Sequence, residues 1–372
     1  MLLSGVRVLD LTRVLAGPLC TMLLGDLGAD VLKVERPGEG DETRGWGPPF
    51  DERGESAYYL SINRNKLGLA ADLDAAGDVA LLRALAADAD VVVENFRRGA
   101  LARRGLDPAV LLAENPRLVW CTISGFGPDS DRPGYDFVLQ AEQGWMAVNG
   151  APDGEPVKAP VAVVDVLTGK DAAIAILGAL VGRSGPRAPL PAAERHVRVS
   201  LAASAVAGLV NVAQNVLVSG RDARRWGNAH ANLSPYQLLD AADRPLVVAV
   251  GNDAQWRACA AALDLPELAA DPRFATNPAR LANRDALVAL LSGRLRTRPA
   301  AEWRARLDAA GVPAGEVRSV AEALRDVDAS PLIGVAPSVP GRVRRPPPRL
   351  DEHGALVRAL GWGAFGRVAP LP

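Results

Sequence analysis

The residue in this chain best suited to covalent chemistry is Asp165. It stands in Val161-Ala162-Val163-Val164-Asp165-Val166-Leu167-Thr168-Gly169, directly ahead of an amphipathic run through Ala172, Ala173, Ile174, Ile176, Leu177, Ala179 and Leu180. An acid at the end of an apolar stretch and the start of a helix meets unpaired N–H groups and the positive end of the macrodipole. Both stabilise a carboxylate. Such a carboxylate can be held ionised, dry and available as a nucleophile. An aspartate at a helix start is also a common N-cap, and the segment alone favours that ordinary use. The rest of the chain reverses that.

The elements that must position Asp165 alternate strand and helix. Val6–Leu11 reads as a strand, Gly17–Leu27 as a helix with Pro18 in its first turn, and Asp30–Val34 as a second strand. A helix over Val79–Ala87 with Asp78 as its N-cap, a strand over Asp90–Glu94, a short helix from Pro108 and a strand over Leu118–Ile123 follow. This order predicts a parallel sheet with right-handed crossovers and ligands at the carboxyl ends of the strands. The loops there are Glu35–Asp41, Asn95–Gly99 and Ser124–Pro128. No GxGxxG follows the first strand, which disfavours a dinucleotide enzyme. A strand at His196–Leu201 and one apolar helix over Ala202–Leu217 come next. Beyond Gly220, strands at Tyr236–Leu239 and Pro245–Val250 with helices over 254–263, 284–294 and 299–310 predict a second, smaller α/β unit. Pro337–Pro348 reads as a linker, and the helix Glu352–Leu360 is expected to dock on the first domain.

Composition bounds the function. The chain has 372 residues, 42 basic and 43 acidic, with a formal net charge of -1 and 49% hydrophobic residues. No basic excess exists for a nucleic-acid partner. Cys20, Cys121, Cys259 and the three histidines are scattered, so no metal site is expected. No apolar run reaches membrane-spanning length, and the N-terminus lacks a signal-peptide layout. A cytoplasmic protein is the expectation.

Many short stretches in one order now carry a resemblance. They include Leu9-Asp10-Leu11-Thr12, Ala16-Gly17-Pro18, Leu27 through Glu35, Asn63-Arg64-Asn65-Lys66, Glu94-Asn95-Phe96-Arg97, Ser124-Gly125-Phe126-Gly127, Tyr135-Asp136 and Asp165. Gly227-Asn228, His230, Asn232, Pro235-Tyr236-Gln237 and Gly311 through Gly315 extend it. The chain resembles the class III, carnitine/bile-acid-inducible type CoA-transferases, which share a superfamily with the α-methylacyl-CoA racemases. The resemblance implies an α/β fold with a Rossmann-like parallel-sheet large domain and a small α/β domain. The large domain is expected over 1–200 plus 340–372 and the small one over 225–320, with linkers at 201–224 and 321–339. It also implies an interlocked homodimer.

By that resemblance Asp165 is the catalytic nucleophile, passing CoA from an acyl-CoA donor to a carboxylic acid through aspartyl anhydride and aspartyl-CoA thioester intermediates. Arg36 and Arg103 are expected on the CoA phosphates, because guanidinium forks suit them. Asn95, Phe96 and Arg97 would line the pocket, Val14, Leu15 and Ala16 the thioester, Ala71 and Asp72 the adenine, with Tyr135 and Asp136 on CoA or the acyl group. Trp46 would close the acyl pocket. His230, Asn232, Tyr236 and Gln237 would face the partner's site. Asn149-Gly150 or Gly227-Asn228 would supply oxyanion donors. Lys33 and Arg104 are read as structural. CoA enters as substrate, and no tightly bound cofactor is expected. Succinyl-CoA as donor and a short dicarboxylate as acceptor fit the Gly227–Gln237 stretch.

Two alternatives stand beside this reading. A 2-methylacyl-CoA racemase needs two bases across an α-carbon, and the relatives that do this carry histidine where Tyr135 stands. A non-catalytic acyl-CoA binding protein would not need Asp165. Two departures from the family pattern are also visible. The small-domain stretch Asp240–Pro245 is short where relatives have a Gly-rich flap, and Ser184–Glu194 is long and proline-rich.

Overall fold

The computed structural model describes residues 1–371. The chain divides into two compact units. One comprises residues 1–145, 158–221 and the C-terminal stretch from Val327; the other comprises Met146–Val157 and Asp222–Asp326.

The first unit is built on β1 (Arg7–Asp10), α1 (Ala16–Asp26), β2 (Asp30–Glu35), β3 (Lys66–Ala70), α2 (Ala76–Ala87), β4 (Val91–Glu94), α3 (Pro108–Glu114), β5 (Val119–Ser124), α4 (Asp136–Glu142), α5 (Val163–Gly182), β6 (His196–Ser200), α6 (Leu201–Gly208) and α7 (Val210–Ser219). Its six strands are all parallel, in the order β3-β2-β1-β4-β5-β6. The alternation of strand side chains feeds two cores. Leu9, Leu32, Leu67, Val92 and Trp120 pack on one face. Val8, Val31, Val91, Val93 and Cys121 pack on the other, with α1 and α5. Strand order reverses between β1 and β4, so the ends of those two strands leave a crevice.

Four expectations need correction. β3 is an edge strand that the hydrophobic pattern did not single out, because its flanks Asn63–Lys66 are polar. The 202–217 helix is two helices bent by 72°, broken where Val210 takes φ 42. Asp78 is not an N-cap: α2 begins two residues earlier with Ala75 as its uncapped N-cap residue. Asp78 instead binds the Asp72 N–H and the Arg358 guanidinium. Residues 341–348 are not a loose linker. Asn65 Oδ1 accepts the N–H groups of Arg344 and Arg345 at 2.6 and 3.0 Å, and Arg344 donates to the Ala29 carbonyl. The closing helix Gly354–Leu360 docks beside β3, where Asp351 accepts the Ala70 N–H at 2.7 Å.

The second unit holds an antiparallel sheet of β7 (Tyr236–Asp240), β8 (Pro245–Ala249) and β9 (Ala314–Glu316). Its core gathers Trp256, Phe274, Leu291 and Trp303. Residues 240–245 form the tight β7–β8 connection, with the Ala241 N–H on the Arg244 carbonyl. Among the described residues no single helix is long and apolar enough to cross a membrane.

Candidate active site

Asp165 lies in the first turn of the 20-residue helix α5 and is 8% exposed. Its surroundings differ from those the sequence suggests. The N–H groups at this helix start are already used. Val163 donates to the Val161 carbonyl and Val166 to that of Ala162. Val164 and Asp165 donate to Asp136 Oδ1 at 2.7 and 3.2 Å. Asp136, from the start of α4, is therefore the cap of α5, supplied through tertiary structure. Its second oxygen accepts Gln140 Nε2 at 2.6 Å, and Gln140 Oε1 accepts the Ala159 N–H. The Asp165 carboxylate accepts no hydrogen bond among the described residues and opens on a cleft. Burial, and next the Asp136 charge, push its pKa up to about 7. So the helix start does not hold Asp165 firmly ionised. It holds a carboxylate that is charged near neutrality and poorly solvated.

Close packing sets its position. α5 crosses α1 where Gly169 meets the Ala16 carbonyl; a Cβ there would lie 2.6 Å from that oxygen. Glycine at 169, one turn after Asp165, thus lets the two helix starts converge. The loop into α1 is held from below. Val14, at φ 70, is a β-branched residue in the left-handed region. Its N–H reaches Asp41 Oδ1 at 3.4 Å. Asp41 pairs with fully buried Lys33 at 2.9 Å, and fully buried Lys66 pairs with Asp10 at the same distance. The chain has four lysines, and two of them form this buried layer beneath the loop.

Tyr58, which the sequence reading did not single out, lies within electrostatic reach of Asp165. Its pKa is pushed up to about 12 by burial and by the charges of Asp165, Asp136 and Asp41, so its phenol remains a donor at neutral pH. Trp46, 40% exposed, stands edge-on to Tyr58 with ring centroids 5.1 Å apart. The single available signal was the Tyr58-Tyr59 doublet, and its second member is instead buried under Arg44.

Two clefts run along the carboxyl ends of the strands. The first, about 780 Å³, is lined by Val14, Leu15, Ala16, Asn95, Tyr135 and Asp165 among others. The second, about 520 Å³, is lined by Arg36, Ala71, Asp72, Arg103 and Arg104. Arg13, Glu42, Phe96 and Arg97 line both, so the two meet at these residues. Arg97 and Arg103 have no ion-pair partner among the described residues, while Arg36 pairs with Glu39 and Arg104 with Asp74. Asp136 lines neither cleft, because it is turned inward as the α5 cap. His230, Asn232, Tyr236 and Gln237 lie in the second unit. There the His230 and Tyr236 rings sit 5.0 Å apart and His230 Nδ1 accepts the Asn232 N–H. Asn149-Gly150 and Gly227-Asn228 also belong to that unit. The described residues contain no cluster suited to a metal ion.

Residues 3–333 match the sequence profile of CoA-transferase family III. The chain belongs to CoA-transferase family III. It is 40% identical to the succinate–glutarate CoA-transferase of Agrobacterium fabrum, over 96% of this chain and 95% of that one. It is likewise 40% identical to the mouse succinyl-CoA:glutarate CoA-transferase, over 94% of this chain and 84% of the other. Among solved structures, a CAIB/BAIF family protein from Brucella suis matches with a TM-score of 0.82 at 41% identity, covering 96% of this chain and 98% of that one. This family III chain is thus an enzyme of the CoA-transferase class, and CoA thioesters are its substrates. The expected α/β fold with a parallel-sheet large unit and the expected family stand.

Proposed function

We propose that Asp165 is the nucleophile of a CoA transfer between short dicarboxylic acids, with succinyl-CoA as donor and a glutarate-like diacid as acceptor. The observation that carries this is the buried, unpartnered Asp165 carboxylate in the first of two adjoining clefts, with Arg97 where they meet and Arg36 and Arg103 in the second. The names of the A. fabrum and mouse relatives support the diacid specificity. The arginines suit the CoA phosphates, with Arg36 exchanging Glu39 for phosphate. Asp165 attacks the donor thioester carbonyl, the C–S bond breaks, and thiolate leaves a mixed anhydride. The thiolate then attacks the aspartyl carbonyl, releasing the donor acid and forming the aspartyl-CoA thioester. The acceptor carboxylate displaces thiolate to give a second anhydride. Thiolate attack on its acyl carbon yields the new acyl-CoA and restores Asp165. Poor solvation makes Asp165 the more reactive once ionised, and Tyr58 and the backbone N–H groups at the start of α1 are the nearby donors for the oxyanions.

The functional unit we propose is a homodimer, interlocked as in the family, with a large domain over 1–200 plus 340–372 and a small one over 225–320. Large apolar side chains on α5, α6 and α7 support it: Ile174, Val181, Val206 and Val210 are exposed, with Leu217 and Val218 at 77% and 78%. The second copy would bring His230, Asn232, Tyr236 and Gln237 to the site. We place the enzyme in the cytoplasm. Asp165→Ala should abolish transfer by about a thousandfold or more while leaving the fold intact. Hydroxylamine added with acyl-CoA should modify Asp165 and no other residue. Residual activity above a few per cent of the parent, or modification elsewhere, would refute the assignment. A stable monomer in sedimentation at micromolar concentration would refute the dimer.

A further inference from the structure

A line of polar side chains crosses β4, β5 and β6, and no step above uses it. The sheet register sets Glu94 opposite Thr122 and Thr122 opposite Arg198. His196 is two residues before Arg198 and therefore shares its face. Thr122 Oγ1 lies 2.6 Å from Glu94 Oε1 and 3.1 Å from His196 Nε2, and Arg198 lies 2.9 Å from His196 Nδ1. Burial, and then the Arg198 charge, hold His196 down at about 4, so its ring is neutral. A guanidinium has only donors, so Nδ1 is the acceptor and Nε2 carries the proton. Nε2 then donates to Thr122, whose own proton is left for Glu94. Every hydrogen in the line is directed at Glu94.

The buried Glu94 carboxylate passes this order on. Its second oxygen accepts the Phe96 N–H at 2.8 Å, fixing the turn Asn95–Arg97. Asn95 in turn clasps the Arg13 backbone, accepting its N–H at 3.1 Å and donating to its carbonyl at 2.8 Å. The Arg13 guanidinium covers the Phe96 ring at 5.3 Å. Arg13, Phe96 and Arg97 are where the two clefts meet.

We infer that Thr122 and His196 are positioning residues for the waist of the acyl-CoA groove, acting through Glu94 on the Arg13–Phe96–Arg97 clasp. This rests on the CoA-transferase reading above. It predicts a defect in holding CoA that spares the acceptor acid and the chemistry at Asp165.

The test uses full-length enzyme with succinyl-CoA and glutarate. Thr122→Val keeps the side-chain shape and removes the hydroxyl. It should raise the KM for succinyl-CoA about tenfold. The KM for glutarate and kcat should stay within about twofold of the parent, and binding of free CoA by calorimetry should weaken in step with the succinyl-CoA KM. Thr122→Ser restores the hydroxyl and should recover most of the loss. His196→Phe removes the Nε2 proton and should give the same pattern about two- to threefold in size, so the idea stays testable if Thr122→Val fails to fold. Parent-like succinyl-CoA KM in the folded variants overturns this inference alone. So does a kcat loss as large as the KM change, or a Thr122→Ser variant as impaired as Thr122→Val. No transfer by the parent enzyme would overturn the proposed function, and this inference with it.

Discussion

Asp10 and Asp165 are both buried carboxylates of the same unit, and their surroundings drive them in opposite directions. Burial pushes Asp10 up, but Lys66, Lys33 and the hydroxyls of Thr12 and Thr21 outweigh it and hold its pKa at about 2. Asp165 has burial and a like charge, Asp136, and no cation or donor to offset them, and its pKa rises to about 7. Desolvation alone therefore does not mark a reactive carboxylate; the missing partner does. The first region braces the Val14–Ala16 loop. The second leaves a carboxylate without a partner, as the proposed nucleophile requires.

The comparison is broken most severely at Asp10. Asp10→Asn keeps the shape and leaves two buried ammonium groups facing one less charge. We expect a loss of about 3–5 kcal/mol in stability at pH 7, read by denaturant unfolding. A loss below about 1 kcal/mol would mean that the ion layer is not a brace. The opposite sign is expected at Asp165. Its folded pKa of about 7 lies above the ordinary aspartate value of 3.8. Between those values the native state holds a proton that the unfolded chain has released, so stability falls as pH rises through the window and levels off above it. Asp165→Asn escapes that cost. It should be more stable than the parent by about 4 kcal/mol at pH 8, with the gap closing towards pH 4. Equal stability at pH 8 would show that the carboxylate is not strained.

Much of the first region was legible in sequence, and the second was legible only in part. Five of the six parallel strands follow from runs such as Val91-Val92-Val93 and Val31-Leu32, which a two-faced core requires. β3 escaped because Asn63–Lys66 look like loop, although Lys66 is buried there to meet Asp10 and Asn63 to accept from Lys66. Asp165 could be picked out by type and place, yet its environment could not. The cap comes from Asp136, 29 residues earlier, and no local pattern encodes which of two acids takes the helix N–H groups. Tyr58, Thr122 and His196 carry no spacing signal, since tertiary structure alone brings them to the site.

Asp136→Asn sharpens the comparison at the level of one charge. The substituted amide can still accept the Val164 and Asp165 N–H groups through its carbonyl oxygen, so the cap survives while the like charge is gone and the bond from Gln140 Nε2 is lost. The limb of log kcat/KM against pH, expected near pH 7 for ionisation of Asp165, should move to lower pH. Burial, the larger cause, keeps it above the ordinary aspartate range. The expected shift is about half a unit to one unit. An unmoved limb would mean that Asp136 acts only as a cap.

The smallest effect is expected next door, at Tyr135. It is the N-cap residue of α4 without a side-chain cap bond, and it is 54% exposed on the cleft wall. The electrostatic work at this corner belongs to Asp136, so Tyr135→Phe should lower kcat/KM no more than about threefold. The same position bears on proton chemistry at the acyl α-carbon. A racemase needs two bases across that carbon, and Tyr135 presents a phenol where the racemases of the resemblance carry histidine. Incubation of the parent enzyme with a 2-methylacyl-CoA in deuterated buffer should leave the α-hydrogen unexchanged while CoA transfer proceeds. Exchange as fast as transfer, lost in Tyr135→Phe, would make Tyr135 a base and Asp165 its partner. The unpartnered carboxylate would then be poised to move a proton, and the contrast with Asp10 would describe a different reaction.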